Sequence, residues 1–553
     1  MEECFPNMQY DVVVVGGGMA GLTAAAYLSR AGARVLLCEK EKQVGGLVNS
    51  FERGGFVFDG GIRAIENSGI VHPMLRQLGI DIEFLPSTVS IGIGAEVVRV
   101  STEDSLAEYQ ALLGRQFPGN REEVDRIIGE VRRVMDYMDV LYGIDNPLFL
   151  DLKSDPKYLL KTILPWMLKY ALTMPKIARL ALPVDEYLAR FTDNQALLDI
   201  IEQHFFQKTP TFFALSYFSL YLDYLYPRGG TGTLPRKMGE YILANGGEIR
   251  CEVEIVGVDP GRRKLVDARG GEYSWKKLVW AADQKTLYRV LDLGSLRDRK
   301  ARRKAEARKA SLSGKKGGDS VFTLYLALNL DKSYFSEIAS AHFFYTPSRT
   351  GLSAADIREL ASDGPEEGRY TRDQARIIAW TRRYFELTTY EISIPALRDA
   401  SLAPEGRTGL IVSTLMEHSI HAHVRELGWH EEYQALCGDC ILEVLGSTIF
   451  PRLKASLIDA FSSTPLSLER ITGNSDGAIT GWAFTNDPLP AVHHLPAVAR
   501  SIRTPLPDVY QAGQWSFSPS GLPISILTGK LAADRALREL GRTQRARARS
   551  GPG

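Results

Sequence analysis

Three glycines and one glutamate near the start of the chain have the types and spacing of a nucleotide site. Gly16, Gly18 and Gly21 belong to the segment Gly16-Gly17-Gly18-Met19-Ala20-Gly21. In such a turn the first glycine permits a tight bend and the second lets the main chain approach a pyrophosphate, while the third lets a helix pack closely on a strand. Glu39 can accept hydrogen bonds from both hydroxyls of an adenosine ribose, and its charge disfavours a 2′-phosphate. These residues predict a dinucleotide site that does not take NADP.

The elements around these residues support that interpretation. Val12 to Val15 is an unbroken β-branched run, typical of a strand buried on both faces. The helix after the glycine turn would point unpaired N–H groups and the positive end of its dipole at a diphosphate. A second strand-like segment, Arg34 to Cys38, has an apolar run from Val35 and leads directly to Glu39. Strand, turn, helix and acid-terminated strand together predict the start of a Rossmann-type fold.

A second glycine pair favours FAD over NAD. Gly45 and Gly46 follow Glu39 closely and resemble the second FAD signature of the amine-oxidase and phytoene-desaturase superfamily. In that superfamily the chain turns back here across the ribityl side of the flavin. The segment Gly55 to Gly61 continues the match, and in the superfamily this strand passes beside the isoalloxazine ring. The resemblance implies FAD as the cofactor.

Later motifs narrow the resemblance to the phytoene desaturase, carotenoid isomerase and retinol saturase family. They are Tyr226-Pro227-Arg228-Gly229-Gly230, Glu391-Ile392-Ser393-Ile394-Pro395, Ala403-Pro404-Glu405-Gly406, Thr464-Pro465, and Gly473-Asn474 leading to Gly477-Ala478-Ile479-Thr480-Gly481-Trp482. The resemblance runs over almost the whole chain. It implies desaturation, saturation or redox-neutral cis/trans isomerisation at carbon–carbon bonds of a lipophilic polyene or isoprenoid.

The order of these motifs implies an α/β fold whose two parts are interleaved. We expect an FAD-binding Rossmann-type domain of the glutathione-reductase and amine-oxidase kind, assembled from separated segments, and an α+β substrate domain between them. The predicted FAD-binding segments are 1–90, 226–293 and 474–541, and the predicted substrate segments are 91–225 and 294–473. The tail 542–553 is predicted to be disordered.

Three returning elements complete the predicted cofactor domain. A strand from Glu248 to Ile255 would offer its main chain near Val253 to an adenine edge, and a strand from Lys276 to Asp283 would reach the cofactor at Ala282. A final strand, Asp508 to Trp515, leads into a helix predicted from about Pro523 to Leu540.

The start of this last helix is suited to stabilise a reduced flavin. Main-chain N–H groups near Gly521 and Leu522 would face the flavin N1 and C2 carbonyl, and Pro523 suits a first helical turn. The chain departs from the family pattern just before this point, because Pro519 and Ser520 replace expected glycines. The residues predicted to bind FAD are Gly16, Gly18, Met19, Ala20, Gly21, Glu39, Lys40, Gly45, Gly46, Leu47, Val253, Ala282, Gly513, Gly521, Leu522 and Pro523.

Candidates for catalytic proton transfer are few. In the implied desaturation a hydride passes from an allylic C–H bond to flavin N5 and a proton leaves the neighbouring carbon, and the intermediate is a delocalised allylic cation that needs no strong base. Arg63 and Glu66 follow the Asp59-Gly60-Gly61 segment, and His204 is a third candidate.

Composition bounds the class of protein. The 553 residues exceed one ordinary domain, 44% are hydrophobic, and the formal net charge is zero, so nothing suggests nucleic acid as a partner. The start of the chain shows no basic and apolar signal-peptide pattern, and five scattered cysteines form no disulfide framework. The expected location is the cytoplasm, peripherally on a membrane.

Membrane contact is expected from the region 147–182. Lysines and prolines interrupt it too often for a spanning helix, but its mixture of Leu, Trp, Tyr and Lys is typical of helices that lie in the membrane interface. The alternative is that these helices cover the pocket of a soluble protein. The partners implied are a lipophilic small molecule and an electron donor or acceptor such as a quinone, oxygen or a reductase.

Two other functions remain possible. A flavin amine or amino-acid oxidase shares the FAD signatures, and a prenyl-binding carrier of the GDP-dissociation-inhibitor type shares the fold.

The pair Cys437 and Cys440 lies in a predicted helix and has no second pair for zinc, so we predict no metal site. The basic run Arg297 to Lys316 indicates a solvated helix face, with anionic lipid as a secondary interpretation.

Overall fold

The computed structural model describes residues 9–150, 156–203, 205–361 and 370–542, in which two seven-stranded sheets form the framework. The strands are β1 Gln9–Val15, β2 Val35–Cys38, β3 Ser50–Arg53, β4 Phe56–Asp59, β5 Ile65–Glu66, β6 Phe84–Pro86, β7 Val89–Ile93, β8 Glu96–Val100, β9 Tyr224–Pro227, β10 Glu248–Arg250, β11 Ile255–Asp259, β12 Lys264–Asp267, β13 Glu272–Trp280, β14 Ser320–Leu328, β15 His342–Thr346, β16 Tyr390–Ser393, β17 Thr408–Met416, β18 Leu457–Ser463 and β19 Val509–Gln511. The helices are α1 Met19–Arg30, α2 Val71–Leu78, α3 Ser105–Gln116, α4 Arg121–Tyr142, α5 Pro156–Tyr158, α6 Leu164–Ala178, α7 Val184–Leu188, α8 Gln195–Glu202, α9 Thr211–Leu215, α10 Tyr217–Leu222, α11 Thr233–Ala244, α12 Gln284–Val290, α13 Arg299–Leu312, α14 Lys332–Ile338, α15 Gln374–Leu387, α16 His418–Glu426, α17 His430–Thr448, α18 Pro465–Thr472, α19 Val498–Ser501 and α20 Leu522–Glu539.

The first sheet has the doubly wound arrangement that the opening motif predicts. Its parallel strands run in the order β10, β2, β1, β13, β19, and the antiparallel strands β12 and β11 extend it beside the first half of β13. Every residue of β1 from Tyr10 to Val15 is buried, as expected for a strand covered on both faces. This sheet and its helices confirm the predicted α/β, Rossmann-type fold class.

Helices α1 and α20 cross at very short distance over this sheet. A β-carbon on Gly529 would lie 2.3 Å from the carbonyl oxygen of Ala20, so only glycine allows the contact. On the other side of α1, a β-carbon on Gly21 would lie 1.9 Å from the Gly16 carbonyl oxygen. The two glycines therefore seat α1 between the glycine turn and the last helix.

The second sheet separates a hydrophobic core from a cavity. Its strands run in the order β18, β14, β17, β16, β15, β7, β8, with β14 and β17 paired along their whole length. Alternate side chains of β14 illustrate the division: Phe322 and Leu324 pack with α15 and α17 in the core, whereas Thr323 and Tyr325 face the cavity. Because side chains alternate between the faces of a strand, β14 serves both compartments.

A mostly helical layer, α3 to α10, follows β8 in the chain and includes the region predicted to contact a membrane. A π-helical turn, Leu159–Ile163, leads into α6, and residues 151–155 lie outside the described part. Leu160, Leu168 and Leu172 are each 65% exposed, and Leu164 is 58% exposed. Within the described ranges, none of the helices has both the length and the apolarity needed to cross a bilayer.

One predicted strand is shorter in the structure. The strand expected from Glu248 to Ile255 ends at Arg250, because Glu252 has a left-handed backbone with φ of 57° that a strand does not accommodate. The chain resumes as β11 at Ile255, which pairs with β12.

The basic helix α13 packs Ala305 and Leu312 into the same core cluster as Val13 of β1. The division into domains stays a prediction, as do the predicted properties of the tail, of which only Arg542 is described.

Candidate functional site

A cavity of about 740 Å³ lies between the two sheets and takes its walls from both. The first sheet contributes the glycine turn, Glu39 and the loop after β19, and the second contributes the cavity-facing side chains of β14 to β17. A volume of this size falls in the range of cofactor and substrate pockets.

The glycine turn forms a cradle that matches the needs of a diphosphate. Gly16 has φ of 102°, and a β-carbon there would lie 2.7 Å from the carbonyl oxygen of Ala281. A β-carbon on Gly18 would meet nothing within 4 Å, so the main chain is open to the cavity at this point. Gly46 approaches Gly18 from the other side, at 3.3 Å between its β-carbon position and the Gly18 Cα. The geometry fits a bound diphosphate at the start of α1.

Glu39 lies at the end of β2 and is held by main-chain amides. Its Oε2 accepts a hydrogen bond from the Gly17 N–H at 2.6 Å, and its Oε1 accepts one from the Glu41 N–H at 2.9 Å. Burial raises the pKa of Glu39, and these two hydrogen bonds oppose that shift. Each oxygen keeps a lone pair for a ribose hydroxyl.

The last helix begins at the cavity wall, as the sequence predicts. α20 starts at Leu522, one residue before the predicted start, and Gly521 and Leu522 both line the cavity. The Ser520 hydroxyl donates to the Thr480 carbonyl at 2.6 Å. Serine in place of an expected glycine thus ties this loop to the segment before Trp482.

Most of the predicted cofactor contacts meet in this cavity. Those that line it are Gly16, Gly18, Met19, Ala20, Glu39, Gly45, Gly46, Leu47, Ala282, Gly513, Gly521 and Leu522. The other four have neighbouring positions: Gly21 packs under the turn, Lys40 donates to the Arg470 carbonyl, Pro523 is buried in the first turn of α20, and the Val253 N–H donates to the Glu39 carbonyl at 2.8 Å.

Arg63 lines the cavity but is engaged by fixed acceptors. Its guanidinium donates to the Asp59 carbonyl at 2.8 Å, to the Gly61 carbonyl and to the Ser413 hydroxyl at 3.0 Å, and the residue is 4% exposed. Arg63 therefore joins the segment after β4 to strand β17. This geometry favours a positioning role over proton transfer.

Glu66 lies close to the start of α20. Its Oε1 is 3.6 Å from the point that a β-carbon on Gly521 would occupy. Burial, followed by the nearby charge of Asp223, raises the pKa of Glu66 to about 7. A carboxyl group that titrates near neutrality can hold or release a proton at the cofactor. The third candidate, His204, lies outside the described residues.

A pair that the sequence interpretation missed occupies the second-sheet wall. His342 Nε2 on β15 lies 3.0 Å from Glu391 Oε1 on β16, and His342 is 2% exposed. Burial lowers the pKa of His342, against the opposing influence of Glu391. Burial also opposes ionisation of Glu391, yet His342, Arg63 and Arg398 hold its pKa below the ordinary value. The combination is a neutral imidazole beside a carboxylate.

Both ring nitrogens of His342 are buried. Neither has a partner with hydrogen-bond geometry among the described residues, and Nε2 has only the close contact with Glu391. The ring lies between the rings of Tyr224 and Phe344, at centroid distances of 5.3 and 4.9 Å. In the sequence, this pair was indicated only by a histidine and a glutamate, each on a strand. Their pairing across β15 and β16 could not be read from local sequence.

Aromatic side chains form another part of the cavity wall. Phe206, Phe213, Tyr217 and Phe344 line the cavity together with Tyr224. An elongated apolar molecule would find complementary walls here.

The weaker motifs have ordinary surroundings. Cys437 and Cys440 are buried and free in α17, and burial raises the pKa of both thiols. His421 contacts His430 and the Met416 sulfur. Across the described ranges, no group of three or more His, Cys, Asp or Glu side chains is arranged to hold a metal ion.

The chain is similar to several curated proteins. It is 28% identical to an inactive all-trans-retinol 13,14-reductase of Danio rerio over 44% of this chain, a match that spans 41% of that relative. It is 23% identical to a chloroplastic prolycopene isomerase of Daucus carota over 98% of this chain and 82% of the relative. It is 20% identical to a 4,4′-diapophytoene desaturase of Staphylococcus aureus (strain COL), over 96% of this chain and 99% of the relative.

A solved structure with the same fold is that of an engineered putrescine oxidase. The TM-score is 0.59 at 14% identity, and the superposition covers 97% of this chain and all of the other. Fold, cradle and relatives together define an FAD-dependent oxidoreductase. The sequence pattern of flavin containing amine oxidoreductases matches residues 19–315, more than half of the chain. The chain belongs to that family, and the predicted cofactor and superfamily are confirmed.

Proposed function

We propose that this enzyme desaturates, saturates or isomerises carbon–carbon bonds of a lipophilic polyene or isoprenoid. The observation that carries the proposal is the aromatic cavity that joins the cofactor cradle to the inner face of the second sheet. Relatives that match nearly the whole chain are named for carotenoid isomerisation and desaturation, which is the same class of chemistry.

In this proposal the residues of the first sheet hold FAD. Gly16, Gly18 and Gly46 would bind the diphosphate, Glu39 the ribose, and the amides near Gly521 and Leu522 the flavin ring. FAD, when bound, accepts or donates the hydride. The protein orients the substrate bond and keeps water out of the aromatic part of the cavity.

His342 is the proposed proton acceptor of the desaturation direction and the donor in reverse. His342 lines the cavity, its Nδ1 has no hydrogen-bond partner among the described residues, and Glu391 next to Nε2 would stabilise the imidazolium that forms on protonation. Since burial lowers the pKa of His342, the imidazole is ready to accept a proton at neutral pH. Glu66 and His204 remain alternative candidates.

The variant His342→Phe tests this role and keeps the aromatic contacts with Tyr224 and Phe344. We expect kcat to fall about 100-fold, the usual range for loss of a general base, with little change in KM. The acid limb of the pH–rate profile should also disappear. His494→Phe, on an exposed histidine, is the control. An unchanged pH profile in the His342 variant would assign the proton to another group.

The substrate is proposed to enter from a membrane surface. Leu160, Leu164, Leu168 and Leu172 recur at every fourth residue and form one exposed apolar stripe, with Lys161 and Lys169 beside it. Such a stripe flanked by lysines suits a helix that lies in the headgroup region.

Vesicle flotation tests the membrane proposal. The double variant Leu168→Glu, Leu172→Glu should lose most of its binding to phosphatidylcholine vesicles that contain phosphatidylglycerol, while its flavin spectrum stays unchanged. Leu243→Glu, which changes another exposed leucine, on α11, is the control and should bind as the wild type does. Equal flotation of all three proteins would refute the proposal.

The reaction is tested by anaerobic photoreduction of the purified holoenzyme, followed by mixing with polyenes and their more saturated counterparts. Reoxidation of the flavin by a polyene identifies saturation, and bleaching of the oxidised flavin by the more saturated compound identifies desaturation. Geometric change of a polyene without net flavin turnover identifies isomerisation.

A second candidate is oxidation of amines, because the family and the putrescine oxidase fold include that chemistry by name. Release of peroxide with simple amines, and none of the three polyene responses, would favour it. A protein purified without flavin that binds prenyl chains would favour the carrier function.

A further inference from the structure

A second cavity, of about 420 Å³, lies on the side of the first sheet where α13 meets the last strand. Its walls come from α12, α13, the segment 490–505 and the loop after β19.

Four cations line this cavity, and none of its lining residues is acidic. Lys304 and Arg308 lie one turn apart on α13, while Arg500 and Arg503 come from the facing segment. Among the described residues, none of the four forms an ion pair with a carboxylate. By contrast Arg302, on the same helix, pairs with Glu306 at 3.0 Å. The basic run noted in the sequence is thus divided between a solvated face and this cavity.

Two neutral acceptors hold the Arg308 side chain in place. Its Nη2 donates to Gln284 Oε1 at 2.8 Å and to the Pro490 carbonyl, so the guanidinium position is fixed by neutral acceptors. Burial lowers the pKa of Arg308, which means that a bound anion would relieve an unfavourable buried charge. A guanidinium has five N–H donors, more than its contacts with Gln284, Pro490 and Tyr288 use.

A buried hydroxyl adds a second polar group. Ser501 is 1% exposed, lines the cavity, and its Oγ has no hydrogen-bond partner within the described part of the chain. Buried hydroxyls without partners are uncommon in folded proteins and usually indicate a missing partner.

We propose that this cavity binds the phosphate monoester group of a small soluble molecule. A phosphate dianion matches the excess of positive charge, and its three terminal oxygens can accept from the arginine forks and the lysine. Tyr288, Pro490 and Val492 give apolar surface for the body of the ligand. A recess of this volume and mixed lining suits a nucleotide-sized molecule better than a flat membrane surface. The proposal is independent of the reaction at the flavin.

The cavity shares a wall with the cofactor site. Gln511 and Ser516 line the phosphate cavity, whereas Ala512, Gly513 and Gln514 between them line the cofactor cavity. The Ser516 hydroxyl also donates to the Gly513 carbonyl at 2.7 Å. A ligand in one cavity therefore contacts the loop that borders the other, and flavin fluorescence offers a second readout of binding.

Calorimetry on the FAD-loaded protein tests the proposal with AMP, adenosine and inorganic phosphate as probes. AMP should bind saturably and adenosine should not, and inorganic phosphate should compete with AMP. The variant Arg500→Glu, Arg503→Glu should weaken AMP binding about tenfold or more, since two attractive charges become repulsive. Lys300→Glu, Arg303→Glu makes the same change of charge on exposed positions of α13 outside the cavity and should leave AMP binding unchanged.

Each remaining outcome decides the question. Equal binding of adenosine, or equal weakening in both double variants, overturns the proposal. Binding to phosphatidic acid vesicles without binding to AMP or phosphate also overturns it, and assigns the cations to a membrane surface. Thermal unfolding and the flavin spectrum of both variants confirm that each is folded and loaded.

Discussion

Glu66 shows at the residue scale how the fold changes the chemistry of a side chain. Its position on β5 places the carboxyl group against Tyr224 of β9 in the ladder and near Asp223, far along the chain. Burial and that second carboxylate raise its pKa to about 7. The sequence shows a glutamate near a family motif, but the burial and the neighbour that set its pKa come from residues almost 160 positions away.

The variant Glu66→Gln tests this shift through stability. The folded-state pKa of Glu66 is above its unfolded value, so the folded protein holds a proton that the unfolded chain releases between pH 4.5 and about 7. Stability should therefore fall as pH rises through this window. The wild type should therefore lose about 3 kcal/mol of stability between pH 4 and pH 8 that the variant does not lose. Urea unfolding of the cofactor-free proteins at both pH values measures the difference, and an equal difference at both would contradict the assigned pKa.

Glu39→Ala tests the proposed ribose contact. The change removes the acceptors for ribose and also the partners of the Gly17 and Glu41 amides, so FAD affinity should fall about tenfold or more. Fluorescence titration of the apoprotein with FAD measures the affinity. Glu272→Ala, an exposed glutamate on β13, serves as the control and should leave the affinity unchanged.

At the scale of elements, local pattern predicted the first sheet well. The β-branched run of β1, the glycine turn and the acid after β2 are contiguous, so strand, helix and cofactor cradle could be read together. The end of β10 could not be read, because the left-handed conformation of Glu252 has no glycine or asparagine to indicate it. The His342 and Glu391 pair was missed for a related reason, since pairing of β15 with β16 joins residues about fifty positions apart.

The contact between α1 and α20 gives an element-scale prediction. Gly529→Ala places a β-carbon 2.3 Å from the Ala20 carbonyl oxygen, and the helices must separate. We expect a loss of about 1 to 3 kcal/mol in the free energy of unfolding, typical of overpacking, together with weaker FAD binding at the start of α1. Chemical denaturation measures the first and fluorescence titration the second.

The matched substitution is Gly129→Ala on α4, where a β-carbon would meet nothing within 4 Å. It should be neutral or stabilise by up to about 1 kcal/mol, because alanine favours a helix interior. If Gly129→Ala and Gly529→Ala change the free energy of unfolding equally, the close crossing of α1 and α20 does not cause the loss of stability.

At the scale of the whole molecule, segments far apart in sequence meet around one cavity. The glycine turn, the residues after β13, the start of α20 and the second sheet all contribute to its wall. A cofactor held by all of them binds the folded chain and not the unfolded one. Its free energy of binding therefore adds to the stability of the whole.

Removal of FAD should lower the thermal midpoint of unfolding. With free FAD at about 100 times its Kd, the holoenzyme should be more stable than the apoprotein by about 2.7 kcal/mol. Differential scanning calorimetry at increasing FAD concentrations measures the shift. A midpoint independent of FAD would show that the cradle does not hold the cofactor in the folded state.

The two-sided second sheet has a consequence for how such an enzyme diversifies. Along β14, substitutions at Thr323 or Tyr325 change what the cavity accepts, whereas Phe322 and Leu324 are constrained by packing in the hydrophobic core. Substrate selectivity and stability thus depend on alternate residues of the same strand. Substitutions on the cavity face can change the substrate while the residues on the core face, and with them the fold, stay the same.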